Sequence, residues 1–301
     1  MEFLAENKRI DGPCAVTVGM FDGLHLGHRA LIGRLKESAE NLKTLIYTFS
    51  VSDETKSIYT TEEKKTLLCR TGMDYAVLQD FSPSFLNTDR EDFINLLKQN
   101  YNMKALVAGE DFRFGRGAMG DAEYLLKNAE KFGLDVTIMP PVFMDGEKVS
   151  STKIRTLIAE DGDIALAGKM LGGYYFAEGK VVAGKQIGSL IEFPTVNIST
   201  PKLKPKNGVY ATLTSICGQT FGSVTNVGVR PTVNHSDEVN IETNIFDFDY
   251  EVYDQKITVC FVERIRKEKK FGSLEALKRQ IRRDKEHAVR FLDNKNIYKP
   301  G

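Results

Sequence analysis

The chain has no net charge: 41 lysines and arginines balance 41 aspartates and glutamates over 301 residues. Without an overall field, neither nucleic acid nor an anionic membrane is drawn to it by charge alone, and neither is an expected partner. No apolar run is long enough to span a bilayer. The opening residues, Met1-Glu2-Phe3-Leu4-Ala5-Glu6, lack the basic-then-apolar order of a secretory leader. Cysteine is scarce. Cys14, Cys69, Cys217 and Cys260 are widely separated and match no zinc spacing. They are expected to be reduced, each a small packing residue, in a cytoplasmic protein. Histidine numbers only four, and two of the four fall within one stretch of ten residues.

That stretch is Gly19-Met20-Phe21-Asp22-Gly23-Leu24-His25-Leu26-Gly27-His28. It follows the apolar run Ala15-Val16-Thr17-Val18, which reads as a buried parallel strand. It precedes Ala30-Leu31-Ile32-Gly33-Arg34-Leu35, whose apolar spacing reads as a helix. Glycine lets a backbone approach a ligand closely. A helix N-terminus offers N–H groups without intrahelical partners and the positive end of a dipole, which suit phosphate. His25 and His28 share a face if the helix begins at Leu24 or earlier. A glycine-rich turn alone can be a tight connection. Two imidazoles in it point to a phosphate site and to nucleotidyl transfer.

The first half alternates strand and helix. Strands are expected at Ala15–Gly19, Thr44–Phe49, Tyr75–Gln79, Ala105–Gly109 and Asp135–Met139. Capping boxes are expected at Thr60 with Glu63 and at Thr88 with Glu91. This pattern predicts right-handed βαβ units and an α/β doubly wound parallel sheet, with ligands at the carboxyl ends of its strands. A second glycine-rich loop, Gly109 to Gly120, begins at such an end and mixes charge with aromatic rings. The segment Val149-Ser150-Ser151-Thr152-Lys153-Ile154-Arg155 reads as a helix start, with Arg155 placed to hold phosphate bidentately.

After Leu171-Gly172-Gly173 the pattern becomes short, alternating strands separated by turn residues: 174–182, 193–198, 208–215, 221–227, 239–247 and 255–262. That is the pattern of an antiparallel β-barrel or sandwich, a small antiparallel β-barrel being the expected fold, and an amphipathic C-terminal helix from about Ser273 to Asn294 closes the chain. Lys278, Arg279, Arg282 and Arg283 read as its solvated face. The expected domains are 1–170 and 171–301.

Both halves, in this order, resemble the prokaryotic bifunctional riboflavin kinase/FMN adenylyltransferase family, also called FAD synthetase. The first half carries that family's G-x-F-D-G-x-H-x-G-H turn, its G-x-D-F-R-F-G loop at Gly109 to Gly115 and its S-S-T-x-x-R segment at Ser150 to Arg155. The second half carries Pro194-Thr195-Val196-Asn197, Gly208-Val209-Tyr210, Asn226 to Thr232, the acidic strand Ile241 to Asp247, and Arg266 to Phe271 before the last helix.

The resemblance implies a Rossmann-like nucleotidylyltransferase domain followed by a riboflavin kinase barrel. It implies ATP, riboflavin, FMN and FAD as substrates or products and Mg2+ as cofactor, with no obligate protein partner. By resemblance His25 and His28 are catalytic in adenylyl transfer, and Glu242 is catalytic in phosphorylation. Gly19, Phe21, Asp22, Gly23, Gly27, Asp111, Ser151, Thr152, Arg155 and Gly188 are expected to bind nucleotide. Thr195 and Asn197 are expected at the metal, and Phe112, Arg266 and Phe271 at the flavin. Ser189, Glu192, Val196 and Asn244 stand where members usually have arginine, glycine, alanine and histidine, and Phe49 is followed by Ser50-Val51-Ser52 where members usually show F-x-P-H-P. Two alternatives therefore stay open: a divergent paralogue with FMN adenylylation only, and a non-catalytic flavin- or nucleotide-binding regulatory protein.

Overall fold

The structure is a computed structural model and describes residues 1–5, 8–51, 53–182, 195–230, 238–248, 254–295 and 297. The chain divides into two compact units, Met1–Ser151 and Thr152–Gly301.

The first unit runs β1 (Glu2–Leu4), β2 (Cys14–Val18), α1 (Leu26–Ser38), β3 (Lys43–Phe49), α2 (Thr61–Cys69), β4 (Tyr75–Gln79), α3 (Pro83–Leu86), α4 (Arg90–Tyr101) and β5 (Met103–Gly109). It continues through β6 (Arg113–Phe114), β7 (Gly120–Asp121), α5 (Ala122–Phe132), β8 (Asp135–Met139), β9 (Phe143–Met144), β10 (Glu147–Lys148) and the first residue of α6 (Ser151–Thr156). Six strands form one parallel sheet in the order β1-β4-β3-β2-β5-β8. β2 and β3 are buried almost throughout, because helices cover both faces of a parallel sheet. One core layer gathers Leu45, Tyr47, Phe93, Leu97 and Leu106. The other gathers Phe21, Leu24, Leu35, Ile46 and Val107.

The sheet order sets the position of the site. From β2 the chain moves to β3 and β4 on one side, then crosses back to β5 on the other. The crevice between the carboxyl ends of β2 and β5 is therefore the topological switch point, where such sheets bind ligands. Both glycine-rich loops leave from these two neighbouring strands. The short β1, the β6–β7 ladder and the β9–β10 hairpin carry too little periodicity to be read from sequence.

The expected capping box at Thr60 and Glu63 is present in both directions. The one at Thr88 is not. Asp89 caps α4 instead by accepting from the Glu91 N–H, and the Thr88 hydroxyl donates to the Ser84 carbonyl. Glu91 is thereby left to pair with Lys131. The cysteines need a second correction. None of the four is in a disulfide, but only Cys14 is buried, while Cys69 and Cys217 are exposed rather than packed.

The second unit begins in α6, continues through a π-helical turn (Leu157–Asp161) and α7 (Ile164–Leu171), and then enters the strands. These are β11 (Tyr175–Val182), β12 (Val196–Ile198), β13 (Gly208–Ile216), β14 (Gln219–Arg230), β15 (Glu238–Ile245) and β16 (Lys256–Arg266), followed by α8 (Leu274–Asn294). They close into an antiparallel barrel in the order β11-β12-β15-β14-β13-β16, with β16 also pairing β11. Alternate residues of β13 face opposite ways. Ala211 and Leu213 pack with Ala288 and Leu292 of α8. Thr212 and Thr214 join Ser223, Thr225 and Thr243 in a fully buried chain of hydroxyl hydrogen bonds 2.7–2.9 Å long.

Candidate active sites

In the first unit the turn after β2 is built from residues that bend the backbone and residues that hold it bent. Phe21 and Leu24 are left-handed at φ 47° and 41°, and Gly23 lies between them at φ 90°. Such a conformation costs energy at non-glycine residues and persists only when neighbours determine it. Several do. The Met20 carbonyl accepts from Thr48 Oγ1 (3.1 Å) and Lys64 Nζ (2.6 Å). The Asp22 carboxylate accepts from the Ile58 N–H (3.0 Å), and the Asp22 carbonyl accepts from the Ser151 hydroxyl (2.7 Å). The Phe21 ring is buried and lies 5.0 Å from the His28 ring.

Helix α1 starts at Leu26, two residues later than the condition set for the histidines to share a face. The histidines meet by another route. His25 is the N-cap, and its Nδ1 accepts from the His28 backbone N–H at 3.3 Å. The imidazole thus folds over the first turn and stacks on His28, with ring centroids 3.7 Å apart. Gly27 makes room for this, since a Cβ there would lie 3.1 Å from His25 Nδ1 and Cε1. Burial pushes the His25 imidazole down to about 4. His28 is held well below its usual value, by burial first and then by His25 and Lys64. Both rings are therefore neutral at pH 7. With Nδ1 accepting, the proton of neutral His25 resides on Nε2, as a donor. The His28 Nδ1 is buried without a hydrogen-bond partner.

The second loop folds back on itself through β6 and β7. Gly115 has φ 74°, and a Cβ on it would come within 2.7 Å of Arg90 Cα. A Cβ on Gly120 would strike the Phe114 ring at 2.6 Å. Phe112 stacks on Phe114 at 5.1 Å. Asp111 is exposed and paired with Lys148. Ser151 opens α6, and Thr152 and Arg155 follow on the same helix.

Sequence reasoning missed two features here. One is buried Lys64, whose ammonium also donates to the Phe49 carbonyl at 2.9 Å. The other is the aromatic run at the exits of β3 and β4. Phe49 stacks on Phe81 at 4.6 Å, Phe85 lies 5.7 Å from Phe49, and Phe81 is exposed. Their only sequence signal was a cluster of phenylalanines near two strand ends.

In the second unit, register places Asn197 opposite Glu242 and Glu242 opposite Asn226. These three therefore share one face of the barrel wall. The Thr195 hydroxyl donates to Glu242 Oε1 at 2.6 Å. Asn197 Oδ1 accepts from Asn240 Nδ2 at 2.8 Å. The donors gathered there are neutral and carboxylate oxygens, the set a hard cation such as Mg2+ takes when nucleotide phosphates supply the rest. Among the described residues no group of three or more histidine, cysteine, aspartate or glutamate side chains could hold a metal unaided. Asn244 lies on the same strand as Glu242 and is buried. Arg266 is committed to Asp284 by bonds of 3.0 Å from Nε and 2.7 Å from Nη2. Its guanidinium lies 5.9 Å from the Phe271 ring. Gly188, Ser189, Glu192, Phe193, Pro194 and Ser52 lie outside the described residues.

A parallel sheet with a capped histidine pair at its switch point, followed by a closed barrel bearing Thr195, Asn197 and Glu242 on one wall, defines a two-module transferase of the nucleotidyl- and phosphoryl-transfer class. Two family models match the chain: FAD synthetase over residues 7–153 and riboflavin kinase over residues 171–292. The chain is 35% identical over 292 residues to the bifunctional riboflavin kinase/FMN adenylyltransferase of Escherichia coli K12, covering 93% of each. It is 32% identical over 303 residues to that of Bacillus subtilis 168, covering 95% of each. A crystal structure described as a macrolide-efflux protein from Streptococcus pneumoniae matches with TM-score 0.86 and 31% identity, over 95% of this chain and 98% of that one. The chain belongs to the bifunctional riboflavin kinase/FMN adenylyltransferase family. No helix among the described residues is long and apolar enough to cross a membrane.

Proposed function

We propose that this chain makes FAD in two steps: the barrel unit phosphorylates riboflavin to FMN, and the sheet unit transfers AMP from ATP to FMN, releasing pyrophosphate. The observation that carries the reading is the stacked, neutral His25–His28 pair at the start of α1, over the switch point of the sheet. In the second reaction the FMN phosphate is the nucleophile and is already ionised, so no side chain need be activated. Catalysis is positioning together with stabilisation of charge on the α-phosphate. His25 Nε2–H and His28 donate to the phosphates, and the first-turn N–H groups of α1 receive the same anion. Gly19 and Gly23 let the backbone approach it. Ser151, Thr152 and Arg155 hold the triphosphate, Asp111 helps place the nucleotide, and Phe112 faces the flavin. The aromatic face at Phe49 and Phe81 offers the flavin ring a second platform.

In the barrel, Glu242 takes the proton of the ribityl hydroxyl as that oxygen attacks the γ-phosphate of ATP, and the bond to the β,γ-bridging oxygen breaks to release ADP. The Thr195 hydroxyl orients the Glu242 carboxylate. Thr195 and Asn197 are the residues that would hold Mg2+, which neutralises charge on the nucleotide phosphates when bound. Gly188 is assigned to the nucleotide by the family motif alone, while Arg266 and Phe271 border the flavin. The reading places the enzyme in the cytoplasm, where exposed Cys69 and Cys217 stay reduced, with small molecules as its only partners.

The test is a pair of incubations followed by chromatography of the flavins. Riboflavin with ATP and magnesium is expected to yield FMN and then FAD, and FMN with ATP and magnesium to yield FAD. FAD from FMN alone would leave only the adenylyltransferase, and no product from either would leave a binding protein.

A further inference from the structure

The buried lysine of α2 has no part in the reaction as described above. Lys64 is 3% exposed, and so is its neighbour Glu63, but Glu63 is accounted for by the capping box with Thr60. Taking an ammonium out of water is costly unless acceptors replace the water. A methionine of similar length would fill the same volume without that cost. The fold keeps the charge and gives it two acceptors, the carbonyls of Met20 and Phe49.

These two carbonyls have a common situation. β2 and β3 are adjacent parallel strands whose last shared backbone bond runs from the Gly19 N–H to the Tyr47 carbonyl at 3.1 Å. Beyond it the strands part, each toward its own connection, and their next carbonyls lose ladder partners. Lys64 bridges the parting ends. The Met20 carbonyl it holds belongs to the peptide that leads directly into Phe21, the first left-handed residue of the turn, whose ring packs against His28. Rotating that peptide would swing Phe21 and with it the surface that seats the His28 ring.

We propose that Lys64 is a positioning residue of the adenylyl-transfer site, locking the Met20–Phe21 peptide to the exit of β3 so that the strained turn holds the histidine pair in register with the phosphates. The inference rests on this turn being the adenylyl-transfer site. It predicts a defect in turnover rather than in binding, because Lys64 is buried and its ammonium is spent on two backbone carbonyls.

The test uses the full chain and steady-state FAD formation from FMN and ATP. K64M is expected to lower kcat about tenfold or more, with KM for ATP and FMN changed less than about threefold. K64Q, whose amide can donate to both carbonyls, is expected to recover at least about threefold of that loss. Recovery by a donor without charge is the readout that a packing role would not produce. Riboflavin phosphorylation by the other unit quantifies the enzyme, and the melt of the sheet unit within the full chain reports that each variant is folded there. If K64M does not fold, T48V takes its place. It removes the second donor on the Met20 carbonyl and is expected to lower kcat at unchanged KM. Wild-type kcat in K64M (or in T48V where it stands in), or K64Q no better than K64M, would overturn the proposal. H28A run alongside separates the two failures. If H28A makes FAD at the wild-type rate, the site itself is misplaced. If H28A is dead while K64M is normal, only the role of Lys64 falls.

Discussion

A histidine is an unusual N-cap, and at His25 the choice has consequences for both charge and geometry. Accepting from the His28 N–H fixes which nitrogen of His25 is bare, and burial keeps the ring neutral, so its other nitrogen carries a proton that can be shared with an anion. Gly27 is the condition for this arrangement. G27A is expected to push the imidazole off its cap, costing about 1 kcal/mol of stability and lowering FAD formation at least about tenfold. Thermal melting and flavin chromatography read the two effects separately. H28A should reduce FAD formation about 10²-fold or more while leaving the melt of the unit in place. The neutral rings also set a pH dependence. An unfolded histidine titrates near about 6.5, whereas folded His25 does so at about 4. Between these values the unfolded chain binds a proton that the folded one does not, so stability rises with pH through that window and is level above it. The stabilisation from His25 is complete above about 6.5 and is lost as pH falls toward 4. Melting at pH 5 should therefore lie below melting at pH 7. H25N, which keeps a good cap but does not titrate, should narrow the gap, and an equal gap in both proteins would contradict the assignment.

Helix α8 is fastened to the barrel by apolar packing of Ala288 and Leu292 and by two ion pairs, Lys285 with Asp247 at the surface and Arg266 with Asp284. Asp284 is buried, so the pair has little solvent screening, and Gln280 adds a further donor to the same carboxylate at 2.9 Å. Removing one partner leaves a charge without compensation. D284A is expected to destabilise the barrel unit by about 3–5 kcal/mol and to leave the sheet unit's melt unchanged, as calorimetry of the full chain would resolve. Elements of this size were legible in the sequence wherever periodicity ran long. β4 and β8 stand at the residues expected, and Ser273 caps α8 where the amphipathic pattern begins. The cap of α4 was misread because Thr88 and Asp89 are both good caps in succession. Which one wins depends on how the preceding turn of α3 closes, and the Ser84 carbonyl claims the Thr88 hydroxyl. Nothing local in the sequence weighs that competition.

Two units with two chemistries make a molecule whose activities should separate by single substitutions. E242Q is expected to abolish riboflavin phosphorylation by about 10²-fold or more while FMN is still converted to FAD, and H28A should do the reverse. Loss of both activities from either change would mean that the sites are not independent. The order of modules and the histidine turn could be read from residues close together in the chain. The supports of that turn could not. Ser151 reaches the Asp22 carbonyl across 129 positions, and Lys64 reaches Met20 across 44. A hydrophobic period encodes which face of an element is buried, not which distant carbonyl a buried polar group will meet. The closed ladder of the barrel has one more consequence. Every strand from β11 to β16 is zipped to a neighbour on both flanks, so none can peel away alone as an outer strand of an open sheet can. In deuterated water, the central amides of β13 and β16 should surrender their protons only when the entire barrel opens, and all at nearly one rate.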